Sequence, residues 1–349
     1  YVERSHGLNR LGLIEGASAM MLITRTPMRI SLFGGGTDYP EYFSKHRGAV
    51  IGLTIDKYIY IAALRMSGTQ SYKYRLAYSQ VETVDTVEQL EHRAVRAALA
   101  QANLNESLDI SIMADMPASS GLGSSSCFAV GLLNLIARLQ GDQPTKLDLA
   151  MRAIHLEREL LSENVGVQDQ MHAAFGGINR FDFDSKSYQI TPMLLRGQSL
   201  QYLLDSLVLV HTGITRHASK VVASQVANTR AGKIDGSLEK LLAIVDEGER
   251  VLREFSGRPL VERIGEMLHE SWVVKRTLSP HVTSDTIDAL YEHARQNGAV
   301  GGKLCGAGGG GFLLMLVPAE TKAKFVEAMT PHRVINVGID TIGSTVIHS

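Results

Sequence analysis

The sequence predicts an α+β fold in two domains, and three observations carry that expectation. Short β-rich runs are mixed with helices up to about residue 200. Beyond it, helices dominate and strands are few. The 349 residues are long for one core and comfortable for two, and 44% of them are apolar, enough to fill a sizeable interior. The domains are expected at 21–200 and 201–349.

In chain order, residues 21–31 are β-rich, with a break expected at Pro27 because proline has no N–H to give a ladder. A glycine turn follows at Gly34-Gly35-Gly36, then β-like runs over 49–53 and 57–65. Polar and aromatic residues alternate over 72–78, a strand pattern. A helix is expected over 87–102 and a strand over 108–113. After a loop that begins at Pro117, Ser124 opens a long helix to about Leu139. Thr145 is placed to cap a helix over 146–161. A short helix over 168–174 precedes a hairpin of strands at 177–183 and 188–191. The second half begins with a strand at 206–211. Helices follow at about 217–228, 237–256, 259–278 and 284–297, then strands at 299–304 and 311–317 around a glycine loop. A last helix and short strands close the chain. The lone Trp272 lies on an amphipathic helix and reads as core packing.

Residues 1–20 lack a basic region followed by an apolar one, so they do not read as a signal peptide. Gly16-Ala17-Ser18-Ala19-Met20 resembles a cloning scar, and 1–20 is set aside as an expression-tag remnant. The formal net charge is −1, from 35 basic and 36 acidic residues. So even a balance gives no electrostatic footprint for nucleic acid or an anionic membrane, and an anionic ligand needs a local site. No apolar run is long enough for a transmembrane helix. Two distant cysteines, Cys127 and Cys305, make neither a disulfide framework nor a metal-ligand spacing, which fits a reducing, cytoplasmic setting.

Three glycine-bearing motifs carry chemistry. The strongest is Pro117-Ala118-Ser119-Ser120-Gly121-Leu122-Gly123-Ser124-Ser125-Ser126, between a strand and a helix. Gly121 and Gly123 allow positive φ and close approach of a ligand. The unpaired N–H groups of the helix start and its dipole favour an anion, and the serines offer hydroxyls to phosphate or Mg²⁺. The loop is neither a Walker A motif nor a dinucleotide fingerprint. Alone, it is also compatible with a tight turn and a serine N-cap. The second motif runs from Arg25 through Arg29 to Gly34-Gly35-Gly36-Thr37-Asp38-Tyr39. Asp38 could accept hydrogen bonds from a polyol and Arg29 could stabilise phosphate charge, although for this run alone a hairpin turn with a capping aspartate is the better explanation. The third is Gly301-Gly302-Lys303-Leu304-Cys305-Gly306-Ala307-Gly308-Gly309-Gly310-Gly311, costly to order and flanked by apolar strands. A pair of acids, Glu157 on a helix and Asp169 in Gly166-Val167-Gln168-Asp169-Gln170, could hold Mg²⁺ or accept a proton. Taken by themselves they are also ordinary helix-start acids.

The three motifs, in this order, resemble those of the GHMP kinases, which include galactokinase, homoserine kinase, mevalonate kinase and phosphomevalonate kinase. The resemblance covers the chain from about Met21. It implies the two-domain GHMP kinase fold, with a ribosomal protein S5 domain 2-like N-terminal domain and a ferredoxin-like C-terminal domain. It implies ATP and Mg²⁺ as cofactors, and a cofactor-binding loop of Pro117, Ser119, Ser120, Gly121, Leu122, Gly123, Ser124, Ser125 and Ser126. Ser125 and Glu157 become the metal ligands, and Asp169 and Arg29 the catalytic pair. Gly35, Gly36, Thr37, Asp38 and Gly308 are carried over to substrate binding.

Galactokinase has Glu and His where this chain has Gly35 and Gly36, which points away from galactose. The Gly-Gly-Gly-Thr-Asp turn, with 49–60, looks instead like the D-glycero-D-manno-heptose 7-phosphate kinases. These phosphorylate the anomeric hydroxyl to give the 1,7-bisphosphate for GDP-heptose and capsule or surface-layer glycans. The partner so implied is a small sugar phosphate, with no nucleic acid or membrane, and a homodimer stays open. A 7-phosphate needs basic contacts from among Lys57, Arg216, Lys220, Lys275, Arg276 and Lys303, with Lys303 and then Arg216 preferred. Another GHMP sugar 1-kinase, for fucose or a uronic acid, and a non-catalytic sensor on the same scaffold are the alternatives.

Overall fold

A computed structural model describes residues 21–195, 197–214 and 219–348. The expected remnant at 1–20 and the second-choice anion ligand Arg216 both lie outside the described residues.

The first sheet is built on two long antiparallel strands, β1 (Met21–Gly34) and β2 (Gly48–Arg65). The early half of β2 pairs with β6 (Ile178–Phe183), itself paired with β7 (Tyr188–Pro192). Its later half pairs with β5 (Leu108–Ala114), and beyond that lie β3 (Tyr74–Ala77) and β4 (Val81–Val84). The last strand of the chain, β12 (Thr345–His348), pairs with the other edge of β1. Ser344 just before it takes hydrogen bonds with Thr26 and Asn134.

Two sequence expectations change here. Pro27 does not break β1, and the runs 49–53 and 57–65 are one strand. Pro27 sits at a register shift between Pro27 and Arg29, where the ladder is already irregular and a missing N–H costs little. The apolar residues on both sides of that irregularity, Met28 and Ile30 in β1 and Leu53 and Ile55 in β2, are fully buried, so packing carries the pair through.

The helix Ser124–Leu139 lies across β1 and β2 and is buried along most of its length. Gly131 lets it come close: a Cβ there would stand 2.7 Å from Thr26 Oγ1. Thr145 caps the next helix through a capping box with Asp148, as expected. That helix runs regularly only over Lys146–His155 and then widens into a π-type turn, Leu156–Leu160, which carries Glu157. The expected helix over 87–102 is also divided, into a short turn Val87–Gln89 and a helix Arg93–Ala102. Each piece has its own cap, Thr86 with Gln89 and then His92, so the backbone leaves helical geometry between them.

The second sheet is antiparallel in the order β11 (Val334–Asn336), β8 (Leu207–His211), β10 (Phe312–Leu316), β9 (Gly301–Leu304). In chain order that reads four-one-three-two, the ferredoxin-like arrangement. Alternation sorts its faces. Leu207, Leu209, Leu314 and Leu316 join the main core, whereas Val208, Val210, Leu313 and Met315 pack with the buried Trp272 on the other side. The helix Gly257–Lys275 covers β9 at close range, with Gly301 against the backbone of Gly265. The helix Asp235–Glu254 packs on β1 and β2, where Gly248 seats the ring of Phe33. Arg180 of β6 adds ion pairs to Asp246 and Glu249 of that helix.

Candidate active site

The loop before the helix Ser124–Leu139 alternates through positive φ at Ser119, Gly121 and Gly123 (59°, 79° and 76°). Gly123 is the N-cap and brings no side-chain cap, so the first N–H groups of the helix have no side-chain partner there. Backbone N–H groups and the positive end of a largely buried helix thus meet at Ser124 and Ser125. The loop stands between two cavities, and Ser119, Ser124 and Ser125 line both. One has a volume of about 280 Å³ and is walled by Arg29, Gly35, Asp38, Asp169 and Lys303. The other, about 730 Å³, is walled by Tyr78, His92, Phe128, Met116 and Glu157.

Arg29 ties the loop to the acid behind it. Its Nη1 donates to Gly121 O at 2.7 Å, while Nε and Nη2 donate to the two oxygens of Asp169 at 2.8 and 2.6 Å. Such a fork fixes the plane of the carboxylate. Burial alone would lower the Arg29 guanidinium, but the charge and hydrogen bonds of Asp169 outweigh it and hold Arg29 above its ordinary value.

Asp38 is fully buried. Gly36 N–H donates to its Oδ1 at 2.8 Å and Gln168 Nε2 to its Oδ2 at 3.0 Å. Gly166 permits this: a Cβ there would lie 2.0 Å from Asp38 Oδ2. Burial, with the nearby charge of Asp169, pushes the Asp38 carboxyl up to about 6. Glu157 accepts from Ser125 Oγ at 2.9 Å and from Gln170 Nε2 at 2.6 Å. Burial pushes it up to about 7 against the opposing pull of hydrogen bonds from Ser126, Gln170 and Ser125.

Mg²⁺ takes hard oxygen ligands and keeps several of them as water and phosphate. Ser125 and Glu157 supply two adjacent oxygens beside the free helix start, so the residues present fit that ion. Among the described residues there is no cluster of three or more His, Cys, Asp or Glu that would build a cage without phosphate.

The other expected residues divide. Ser119, Gly121, Gly123, Ser124 and Ser125 face the cavities, with Gly35, Gly36, Asp38 and Lys303 in the first of them. Leu122 and Ser126 are buried beneath the loop, Ser120 is buried with no partner for its hydroxyl, and Pro117 is exposed at its entrance. Thr37 is turned inward, bonded both ways to Ala49. Gly308 abuts the backbone of Val282 rather than either cavity.

Of the basic candidates, Lys57 pairs with Asp56, and Arg276 lies over the Trp272 ring. Lys275 and Lys303 line the first cavity. Lys275 is committed to the carbonyls of Leu304 and Gly306. Lys303 is 3% exposed, and its ammonium has no hydrogen bond or ion pair among the described residues. Burial, with the positive charge of Lys275 beside it, pulls Lys303 down to about 7.

Sequence reasoning passed over Gln168 and Gln170, although both stood in the quoted motif, and the whole aromatic cavity of Tyr78, His92 and Phe128. His172 is a neutral core histidine, held down at about 3 by burial and by Arg29.

Residues 85–177 match the profile of the GHMP kinases N terminal domain, and 258–333 that of the GHMP kinases C terminal. A D-glycero-alpha-D-manno-heptose 7-phosphate kinase of Campylobacter jejuni is 30% identical over 321 residues, covering 88% of this chain and 92% of that one. The chain belongs to the GHMP kinase superfamily. It is a two-domain GHMP kinase fold, and the family implies ATP-dependent phosphoryl transfer to a small molecule. An Arabidopsis thaliana bifunctional fucokinase/GDP-fucose pyrophosphorylase is 26% identical over 321 residues, covering 85% of this chain and 30% of that longer one. The crystal structure of a D-glycero-D-manno-heptose 1-phosphate kinase from Bacteroides thetaiotaomicron shares the fold, with a TM-score of 0.75 at 23% identity over 94% of this chain and all of that one. No described helix is long and apolar enough to cross a membrane.

Proposed function

We propose that this GHMP kinase transfers the γ-phosphate of ATP to the anomeric hydroxyl of D-glycero-D-manno-heptose 7-phosphate. The observation that carries the choice of acceptor is Lys303. A buried ammonium without a partner, in the wall of the acceptor-sized cavity, calls for an anion on the substrate itself. Similarity to the Campylobacter jejuni kinase supports the same sugar.

In this reading the larger cavity takes the nucleoside, the helix start at Ser124 and Ser125 takes the phosphates, and the smaller cavity takes the sugar. Asp169 orients the reacting hydroxyl and accepts its proton, with Arg29 fixing the carboxylate and countering negative charge beside the transferred group. Asp38 accepts from sugar hydroxyls. Ser125 and Glu157 would hold Mg²⁺, which supplies charge neutralisation on the phosphate oxygens. Positioning and electrostatics do most of the work, as expected where the transferred group passes through a loose transition state.

ATP consumption across a panel of sugars and sugar phosphates, read together with thermal protection, tests this. Heptose 7-phosphate should be turned over and should raise the melting temperature, and heptose lacking the phosphate should do neither at the same concentration. Turnover of free fucose, or of a uronic acid whose carboxylate meets Lys303, would replace the acceptor. ATP binding without turnover of any of them would favour a sensor.

A further inference from the structure

Gln168, Asp169 and Gln170 are consecutive, yet they serve three different groups. Gln168 donates to Asp38 at 3.0 Å, Asp169 receives Arg29 at 2.8 and 2.6 Å, and Gln170 donates to Glu157 at 2.6 Å. They form the first turn of the helix Gln168–Phe175. Successive side chains on a helix point about 100° apart, which is how neighbours in sequence reach separate walls.

The two carboxylates served by the glutamines belong to different cavities, Asp38 to the smaller and Glu157 to the larger. Both are at most 1% exposed, and neither has an ion pair among the described residues. They are held by neutral donors only: Gly36 N–H and Gln168 for Asp38, and Ser125, Gln170 and the Ser126 hydroxyl for Glu157. A buried carboxylate that loses one of so few donors is left under-solvated and free to turn. Each glutamine has its amide nitrogen committed and its amide oxygen buried without a partner. That arrangement is costly unless the donated bond matters.

We infer that Gln168 and Gln170 are positioning residues acting on opposite sides of the transfer, Gln168 through Asp38 on the acceptor polyol and Gln170 through Glu157 on the Mg²⁺-nucleotide. Asp169 lies between them, so one helical turn sets acceptor, base and metal ligand in a single frame. The inference rests on the roles proposed above for Asp38 and Glu157.

The test is a double dissociation with Gln168→Met and Gln170→Met, which keep volume and remove the donor. Gln168→Met should raise the KM for the acceptor about tenfold and leave nucleotide binding alone. Gln170→Met should raise about tenfold the Mg²⁺ concentration needed to bind a non-hydrolysable ATP analogue, read by calorimetry without acceptor, and leave the acceptor KM alone. Should Gln170→Met fail to fold, Gln170→Glu keeps the volume and sets a second carboxyl beside Glu157. Its Mg²⁺ requirement should shift while the acceptor KM holds. Both variants moving the same parameter, or either failing to move its own, would overturn the inference. The calorimetric arm needs no sugar, so a wild-type protein inactive on every acceptor would sink the heptose reading and still decide the role of Gln170.

Discussion

Two glycine-rich loops meet at the centre of the molecule and use glycine for opposite ends. In 119–123, Gly121 and Gly123 turn the chain so that backbone N–H groups open towards the cavities. In 305–311, the glycines close against other backbone. A Cβ on Gly306 would stand 2.7 Å from Gly121 Cα, and one on Gly311 2.4 Å from Ser120 O. Gly308 and Gly310 meet the carbonyls of Val282 and Ile214 in the same way. The first loop is a cradle and the second is its buttress. The density of glycine in the second reflects main chain packed on main chain, with the ammonium of Lys275 tying Leu304 and Gly306 in place.

The largest expected effect lies on the cradle side. Asp169→Asn should lower kcat on the order of 10²–10⁴-fold with little change in the Kd of an ATP analogue, as steady-state kinetics and calorimetry would show. Full activity in that variant would remove Asp169 from the base role.

Next come the buttress glycines, which sharpen the contrast. Gly306→Ala forces a methyl into the first loop, so it should weaken nucleotide binding by about tenfold or more as well as costing on the order of 1–3 kcal/mol of stability. Gly308→Ala carries a similar backbone strain at φ 119° but presses on Val282, so its loss should register in melting temperature and much less in nucleotide affinity. Equal losses of affinity in the two would erase the division drawn here.

The two lysines that line the smaller cavity divide in the same way. Lys275→Met removes two bonds to the buttress and should destabilise the fold. Lys303→Met removes an unpaired buried cation, so it should spare stability and raise the KM for a phosphorylated acceptor by at least tenfold.

The smallest effect is a pH slope. The folded chain holds Lys303 at about 7 and Lys275 at about 8, both pulled down from 10.5 chiefly by burial. Between those values and 10.5 the unfolded chain binds protons that the folded chain does not, so these lysines make stability rise with pH across that window. Below about pH 7 the cost of burying both charges is present in full. Lys303→Met should flatten the part of the climb that begins near pH 7 and leave the part from Lys275. An unchanged slope in melting temperature against pH would show that Lys303 is not buried as a cation.

What could be read in the sequence depended on how local its cause is. The helix over 124–139 has the bounds expected of it because the glycine turn before it and the apolar residues along it are both local signals. The capping box at Thr145 is local too. The π-type turn under Glu157 is not, since a slipped hydrogen-bond ladder leaves no mark on composition. Pro27 misled for the same reason in reverse: the proline rule is local, and the 14-residue strand around it is held by its partner. Lys275 and Lys303 look alike in sequence, and only their partners tell them apart. The aromatic cavity draws Tyr78, His92 and Phe128 from separate elements, none of which forms a motif alone.

The last strand has a consequence for how the chain is made. Thr345–His348 completes the first sheet by covering the outer edge of β1, yet it leaves the ribosome after the whole second sheet has been synthesised. Until then β1, one of the two longest strands among the described residues, offers part of an open edge to any other nascent chain. Changes to Thr345–His348 therefore act on the first described element of the fold, some 320 residues upstream, and bear on solubility before they bear on catalysis.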